Sequence, residues 1–169
     1  MAEFKLDKSD DLSVSGGEIM RYSAARAAGL KTILFVCTGN AVRSQIAEGL
    51  VTYLFGEKWA AFSAGIMPMP IPKTVVKVMR EIGIDISMRS EKHIDIFKDC
   101  EFDRVVVLCS DAGRMCPTLP NCKLQEHVIF NDPLSSSLAS EGFFIGFTRA
   151  FRVLRDEMKN VLTAYMKDA

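Results

Sequence analysis

From Lys31 onward, short β-type runs alternate with segments of helical period, the sequence form of a parallel sheet joined by crossover helices. "TILFVC" (32–37) reads as a buried strand, and "RSQIAEGLVTYLF" (43–55) as a helix with Ile46, Leu50, Tyr53 and Leu54 at helical spacing. "WAAFSAG" (59–65) is a second strand, ending on Gly65. "IPKTVVKVMREIG", after the prolines at 68, 70 and 72, is a second helix closed by Gly83. "DRVVVLC" forms the third strand, "HVIFNDP" the fourth, stopping at Pro133, and the run from Glu141 to Asp168 a long terminal helix. The pattern predicts an α/β fold: one three-layer, flavodoxin-like domain over residues 31–169, with a four-stranded parallel sheet and helices on both faces. Residues 1–30 lack a strand pattern and carry mixed charge, and are expected to form a peripheral or flexible extension. Within it "GEIMRYSAARAAGL" suits a short helix with Ile19, Tyr22, Ala25 and Arg26 loosely on one side.

Composition narrows the function. A chain of 169 residues, 49% hydrophobic, can bury one proper core. Lys+Arg and Asp+Glu both count 21, so there is no basic field to gather nucleic acid or an anionic membrane, and neither is expected as a partner. No apolar run approaches the roughly 20 residues needed to span a bilayer. The opening "MAEFKLDKSDD" is acidic where a secretory signal would be basic and then apolar, so the expected compartment is the cytoplasm. Five cysteines, at 37, 100, 109, 116 and 122, are an odd number that suits reactive or buried thiols better than a disulfide framework.

Ligands of such sheets sit beyond the carboxyl ends of the strands, where the strand pattern puts Cys37, Cys109 and Asp132. Between Cys37 and the first crossover helix stand Thr38, Gly39, Asn40, Ala41 and Val42, giving cysteine, any five residues, then Arg43. A turn this short, passing from strand into helix, aims successive backbone N–H groups at one point, and the helix N-terminus adds its positive end. That concavity suits a tetrahedral oxyanion. Gly39 permits close backbone approach, and Arg43 offers a planar fork to two oxygens. The same positive surroundings favour the Cys37 thiolate, with Ser44 as a further hydrogen-bond donor. Cys37 is therefore placed to attack the centre of the anion the loop binds.

"FVCTGNAVRSQIAEG" resembles the phosphate-binding loop of the low-molecular-weight protein tyrosine phosphatases and of the thioredoxin-coupled arsenate reductases that share their fold. The resemblance extends through "SAGI", "EIGIDIS", "VVVLCSDA", "MCPTLP" and "EHVIFNDP", from about Lys31 to the carboxyl terminus. It implies Cys37 as nucleophile, Arg43 with the Thr38–Arg43 backbone as oxyanion binder, and Asp132 as general acid. That role suits a carboxylic acid on a loop facing the anion, because the departing oxygen needs a proton. Val42 stands where many relatives carry a second cysteine, so a disulfide within the loop has no partner.

Reducing arsenate requires two electrons, which hydrolysis of a phosphocysteine does not, so the remaining thiols separate the two activities. "CSDAGRMCP", with Cys116 seven residues after Cys109, resembles the reductases, whereas phosphatases generally lack the second of these two cysteines; Gln45 in place of the proline common in phosphatases, and Leu134 where many phosphatases carry an aromatic, also resemble the reductases. The resemblance implies a relay in which Cys109 attacks the Cys37 adduct and Cys116 then pairs with Cys109, with thioredoxin or a similar external thiol as reductant and no bound cofactor. A helix through 109–116 would separate those two Cα atoms by roughly 10 Å, beyond the ~7 Å limit for a disulfide, so the segment must loop out or unwind.

In some reductases the residues matching Asn40, Glu48 and Ser63 help bind a monovalent cation; here they are read as hydrogen-bonding supports of the loop. Cys109, Cys116, Cys122 and His127 fit no usual paired-ligand spacing for zinc, and no metal is assigned. Two alternatives to a reductase stay open: a phosphatase hydrolysing phosphomonoesters through phosphocysteine, and a non-catalytic anion-binding or redox-sensing module.

Overall fold

The computed structural model describes residues 8–115, 121–133 and 143–169. Cys116, Pro117 and Leu134 lie outside the described residues. The element order is α1 (Lys8–Ala27), β1 (Lys31–Cys37), α2 (Arg43–Phe55), β2 (Trp59–Gly65), α3 (Lys73–Arg80), a 3-10 turn (Ile94–Phe97), β3 (Arg104–Val107), α4 (Ser110–Met115), β4 (Gln125–His127) and α5 (Phe143–Lys167). The four strands form one sheet in the order β2-β1-β3-β4, all neighbours parallel, with helices on both faces. β1 runs from Ile33 to Val36 without an exposed side chain, because it is paired on both edges and covered on both faces. The register sets Cys37 opposite Gly65 and Val36 opposite Val107, so the ends of β1, β2 and β3 meet on one rim.

The core is built from the sheet residues with Ile46, Leu50 and Val51 of α2, Val75, Val78 and Met79 of α3, and Leu154, Met158 and Leu162 of α5. α2, α3 and α5 pack on one another. Gly49 lets α3 close on α2: a Cβ there would meet Met79 Cε at 2.9 Å. Elsewhere Phe62, Phe97 and Phe102 form a cluster of edge-to-face rings, joined by Tyr22 of α1.

Three expectations change. The fourth strand spans Gln125–His127 rather than 127–133, because β3 ends at Val107; Phe130 still donates to Leu108 O at 2.9 Å, and beyond it the chain has left its ladder partner. On α2 the buried side runs continuously from Ser44 to Val51, while Tyr53 and Leu54 are 63% and 39% exposed. The last turn of that helix carries its apolar residues to the surface. The amino-terminal stretch, expected to be peripheral, is helical from Lys8 and packs against the sheet over its second half. Ala25 is buried, Tyr22 Oη donates to Glu101 O at 2.5 Å, and Arg26 Nη1 reaches Asp103 at 3.2 Å.

Candidate active site

Residues 38–42 make the turn from β1 into α2, and its conformation follows from three anchors. Asn40 takes a left-handed backbone (φ +47°), which Asn tolerates better than most residues. Its side chain is wholly buried and both of its polar atoms are bonded. Nδ2 donates to Ser44 Oγ at 2.8 Å, and Oδ1 accepts from the Lys92 backbone N–H at 2.8 Å and from Gln45 Nε2 at 3.1 Å. The carbonyls of Thr38 and Gly39 turn outward to the loop after β2, accepting from Ile66, Met67 and Met69 N–H at 2.8–2.9 Å. Gly65 is the third anchor, since its bare Cα lets β2 end directly against the turn.

With the carbonyls tied outward, the amides are free to face the other way. Among the described residues, the N–H groups of Gly39, Asn40, Ala41, Val42 and Arg43 have no protein acceptor. Five successive donors at the N-terminus of a 13-residue helix are the electrostatic complement of an anion. Cys37 Sγ, 2% exposed, lies at this turn with Ser44 Oγ 3.0 Å away. The hydroxyl is set to donate to sulfur, its own oxygen already receiving Asn40 Nδ2.

Arg43 bridges the turn to the rim of β4. Nη1 donates to Phe130 O at 3.4 Å and Nη2 lies 3.5 Å from Asp132 Oδ2; the Asp132 side chain is 44% exposed where that of Arg43 is 12%. Cys109, buried just past β3, has its Sγ 3.3 Å from Thr38 Oγ1. The structure therefore brings Cys37, Thr38–Ser44, Cys109 and Asp132 to one rim. α4 follows Cys109 directly and ends at Met115, immediately before Cys116. Burial pushes both the Cys100 and Cys122 thiols up from their ordinary value, with Asp99 adding to the effect at Cys100.

Behind the turn lies a buried charge cluster that the sequence did not reveal. Glu48 Oε2 accepts from Ser63 Oγ at 2.5 Å, and Lys92, Arg89 and Arg21 surround the carboxylate at 3.7, 3.6 and 2.9 Å. Burial alone would push the Glu48 carboxyl up, but Lys92, Arg89 and Arg21, with the Ser63 hydroxyl, together hold it below its ordinary value. The Lys92 backbone also receives Gly65 N–H at 2.8 Å, so one residue clamps both the turn and the end of β2. Only Glu48, Asn40 and Ser63 carried any signal in the sequence; Lys92, Arg89 and Arg21 sit in unremarkable polar runs. Gln45 Nε2 donates to Asn40 O and Ser90 O at 3.1 Å, fixing the turn from below. Among the described residues, no group of three or more His, Cys, Asp or Glu is placed to hold a metal ion, and no helix is long and apolar enough to cross a membrane.

Residues 32–168 match the family described as low molecular weight phosphotyrosine protein phosphatase. Arsenate reductase 1 of Staphylococcus epidermidis is 38% identical over 135 residues, covering 80% of this chain and 95% of the relative. The arsenate reductase of Bacillus subtilis is 39% identical over 135 residues, covering 80% and 94%. Among solved structures, an arsenate reductase in the phosphate-binding state superimposes with a TM-score of 0.65 at 29% identity, covering 82% of this chain and 98% of that one.

Proposed function

Because the chain belongs to the low molecular weight phosphotyrosine protein phosphatase family, we propose that it uses the family's oxyanion loop to reduce arsenate to arsenite. The observation that carries this reading is the second thiol: Cys109 Sγ lies 3.3 Å from the Thr38 hydroxyl, on the same turn as Cys37. Hydrolysis of a phosphocysteine consumes no electrons, whereas reduction of arsenate needs two at that point.

Arsenate binds to the free amides of residues 39–43 and to the Arg43 fork. The Cys37 thiolate attacks arsenic, forming an S–As bond, and Asp132 delivers a proton to the oxygen that leaves as water. Cys109 then attacks Cys37 Sγ. The S–S bond forms, the S–As bond breaks and its electron pair stays on arsenic, so arsenic(V) leaves as arsenite(III) while the two sulfurs are oxidised. Cys116 attacks Cys109 in turn, freeing Cys37 and leaving a Cys109–Cys116 disulfide for an external thiol reductant of the thioredoxin kind. For that step α4 must open, since seven residues of helix rise by roughly 10 Å, beyond the reach of a disulfide. A thiol cycle of this sort suits a reducing compartment such as the cytoplasm.

The test compares the parent with Cys37→Ser, Cys109→Ser and Cys116→Ser in arsenate reduction coupled to thioredoxin, beside aryl phosphate hydrolysis. Loss of both activities in Cys37→Ser, and loss of arsenate reduction alone in the other two, is the expected result. A parent that hydrolyses phosphotyrosine vigorously and leaves arsenate untouched points to the phosphatase instead. Activity surviving in Cys37→Ser points to the anion-binding or redox-sensing module.

A further inference from the structure

The match to the family begins at residue 32, yet Arg21, on the helix ahead of it, reaches the support behind the oxyanion loop. Its Nη2 donates to Glu48 Oε1 and its Nη1 to Ala61 O of the edge strand β2, both at 2.9 Å, and the guanidinium lies 4.1 Å from the Phe62 ring centroid. Glu18, one turn earlier on α1, takes Nε and Nη2 at 3.2 and 2.8 Å. Each of the three guanidinium nitrogens thereby has an acceptor, which places the fork although the side chain is 40% exposed.

Glu48 is where this matters. Among the described residues, Arg21 is the cation within hydrogen-bonding distance of its carboxylate; Arg89 and Lys92 stand off at 3.6 and 3.7 Å. A buried carboxylate stripped of that partner draws the remaining cations toward itself. Lys92 is not free to answer without consequence, because its backbone N–H holds Asn40 Oδ1 and its carbonyl holds Gly65 N–H. Asn40 in turn orients Ser44 Oγ, which contacts Cys37 Sγ. Contiguous polar contacts thus run from Arg21 through Glu48, Lys92, Asn40 and Ser44 to the sulfur.

We infer that Arg21 is a positioning residue for the oxyanion site, so that the amino-terminal helix is a working part of anion binding and not an appendage. The inference rests on residues 37–43 being the anion site, and inorganic phosphate is the probe that keeps the two apart. Phosphate affinity is measured calorimetrically, well below the melting temperature, on the full chain and on Arg21→Ala, Arg21→Lys, Glu48→Gln and the double variant Arg21→Ala/Glu48→Gln. Arg21→Ala is expected to weaken phosphate binding about fivefold, Arg21→Lys to restore most of that loss, and the Arg21 effect to vanish once Glu48 is neutral. Should alanine prevent folding, Arg21→Gln keeps the methylene stem over Phe62 while losing the charge and the reach to Glu48, and carries the same expected weakening. Parent-like affinity in the folded Arg21 variants, or the same loss with Glu48 neutral as with Glu48 charged, overturns the inference. A parent that binds no phosphate overturns the anion site itself, and this inference with it.

Discussion

A single methyl group at Gly65 puts the loop geometry to the sharpest test. An ideal Cβ there would lie 2.7 Å from Asn40 N, 2.8 Å from Thr38 O and 2.9 Å from the Gly39 carbonyl carbon. All three are backbone atoms, so no side-chain rotation relieves the contact. Opening the shortest to 3.4 Å, the near edge of ordinary van der Waals contact, displaces the turn by about 0.7 Å. Misplacement of reacting groups by about 1 Å costs on the order of 100-fold, and overpacking destabilises by about 1–3 kcal/mol. Gly65→Ala is therefore expected to remain folded, to melt lower, and to lose about 30- to 100-fold in kcat/KM for arsenate with a parallel loss of phosphate affinity. Steady-state turnover and calorimetric phosphate binding on the same preparation, with thermal unfolding as control, read all three. Folded Gly65→Ala with kcat/KM within about threefold of the parent refutes the idea that the amides are held to sub-ångström tolerance.

Three further outcomes follow from the described contacts. Asn40→Ala loses both the left-handed tolerance and the partner of a buried Lys92 N–H, and is expected to destabilise by about 2–4 kcal/mol, with Asn40→Gly about 1 kcal/mol milder because only the hydrogen bonds are lost; denaturant unfolding that ranks them in the opposite order rejects this account. Arg152 and Arg155 hold the Glu81 carboxyl down to about 2 from an ordinary value of 4.5, tying the end of α3 to α5. A carboxyl depressed in the folded state contributes stability above its unfolded value, and that contribution is lost as the pH falls from about 4.5 toward 2. Glu81→Gln should thus be less stable than the parent near neutrality, with the gap closing across that window; a gap constant with pH contradicts it. In hydrogen exchange, the amides of residues 114 and 115, the two with i−4 acceptors inside α4, should be protected in the reduced protein and exposed once arsenate has been turned over without reductant, whereas protection unchanged by oxidation argues against the relay through Cys116.

The elements that carry the site were legible because local pattern and tertiary role agreed. "RSQIAEGLVTYLF" and "WAAFSAG" span α2 and β2 as found, and "TILFVC" falls one residue short of β1. The placement of Cys37 at the end of β1 and of Arg43 at the start of α2 could be read because each bounds such an element. What escaped was set by pairing across the chain. The fourth strand ends where β3 ceases to face it, a limit no local run encodes. Lys92 acts chiefly through its backbone, to which residue type is nearly silent, and Gly65 looked like an ordinary strand terminus until its distance to Asn40 was known. The contacts of the segment before residue 31 were hidden for a related reason: its amphipathic side is short, and Arg21 is held by a carboxylate 27 positions away.

β1 is locked between two neighbours along its length, while the thiol beyond β3 leads straight into a six-residue helix. On the proposed relay, the sheet and its turn serve as an anvil for the oxyanion and the segment beyond β3 as a finger that brings electrons to it. Editing the finger would then change the chemistry while leaving the anion-binding amides in place. Grafting residues 109–117 onto a hydrolytic cousin is the experiment such a division of labour invites.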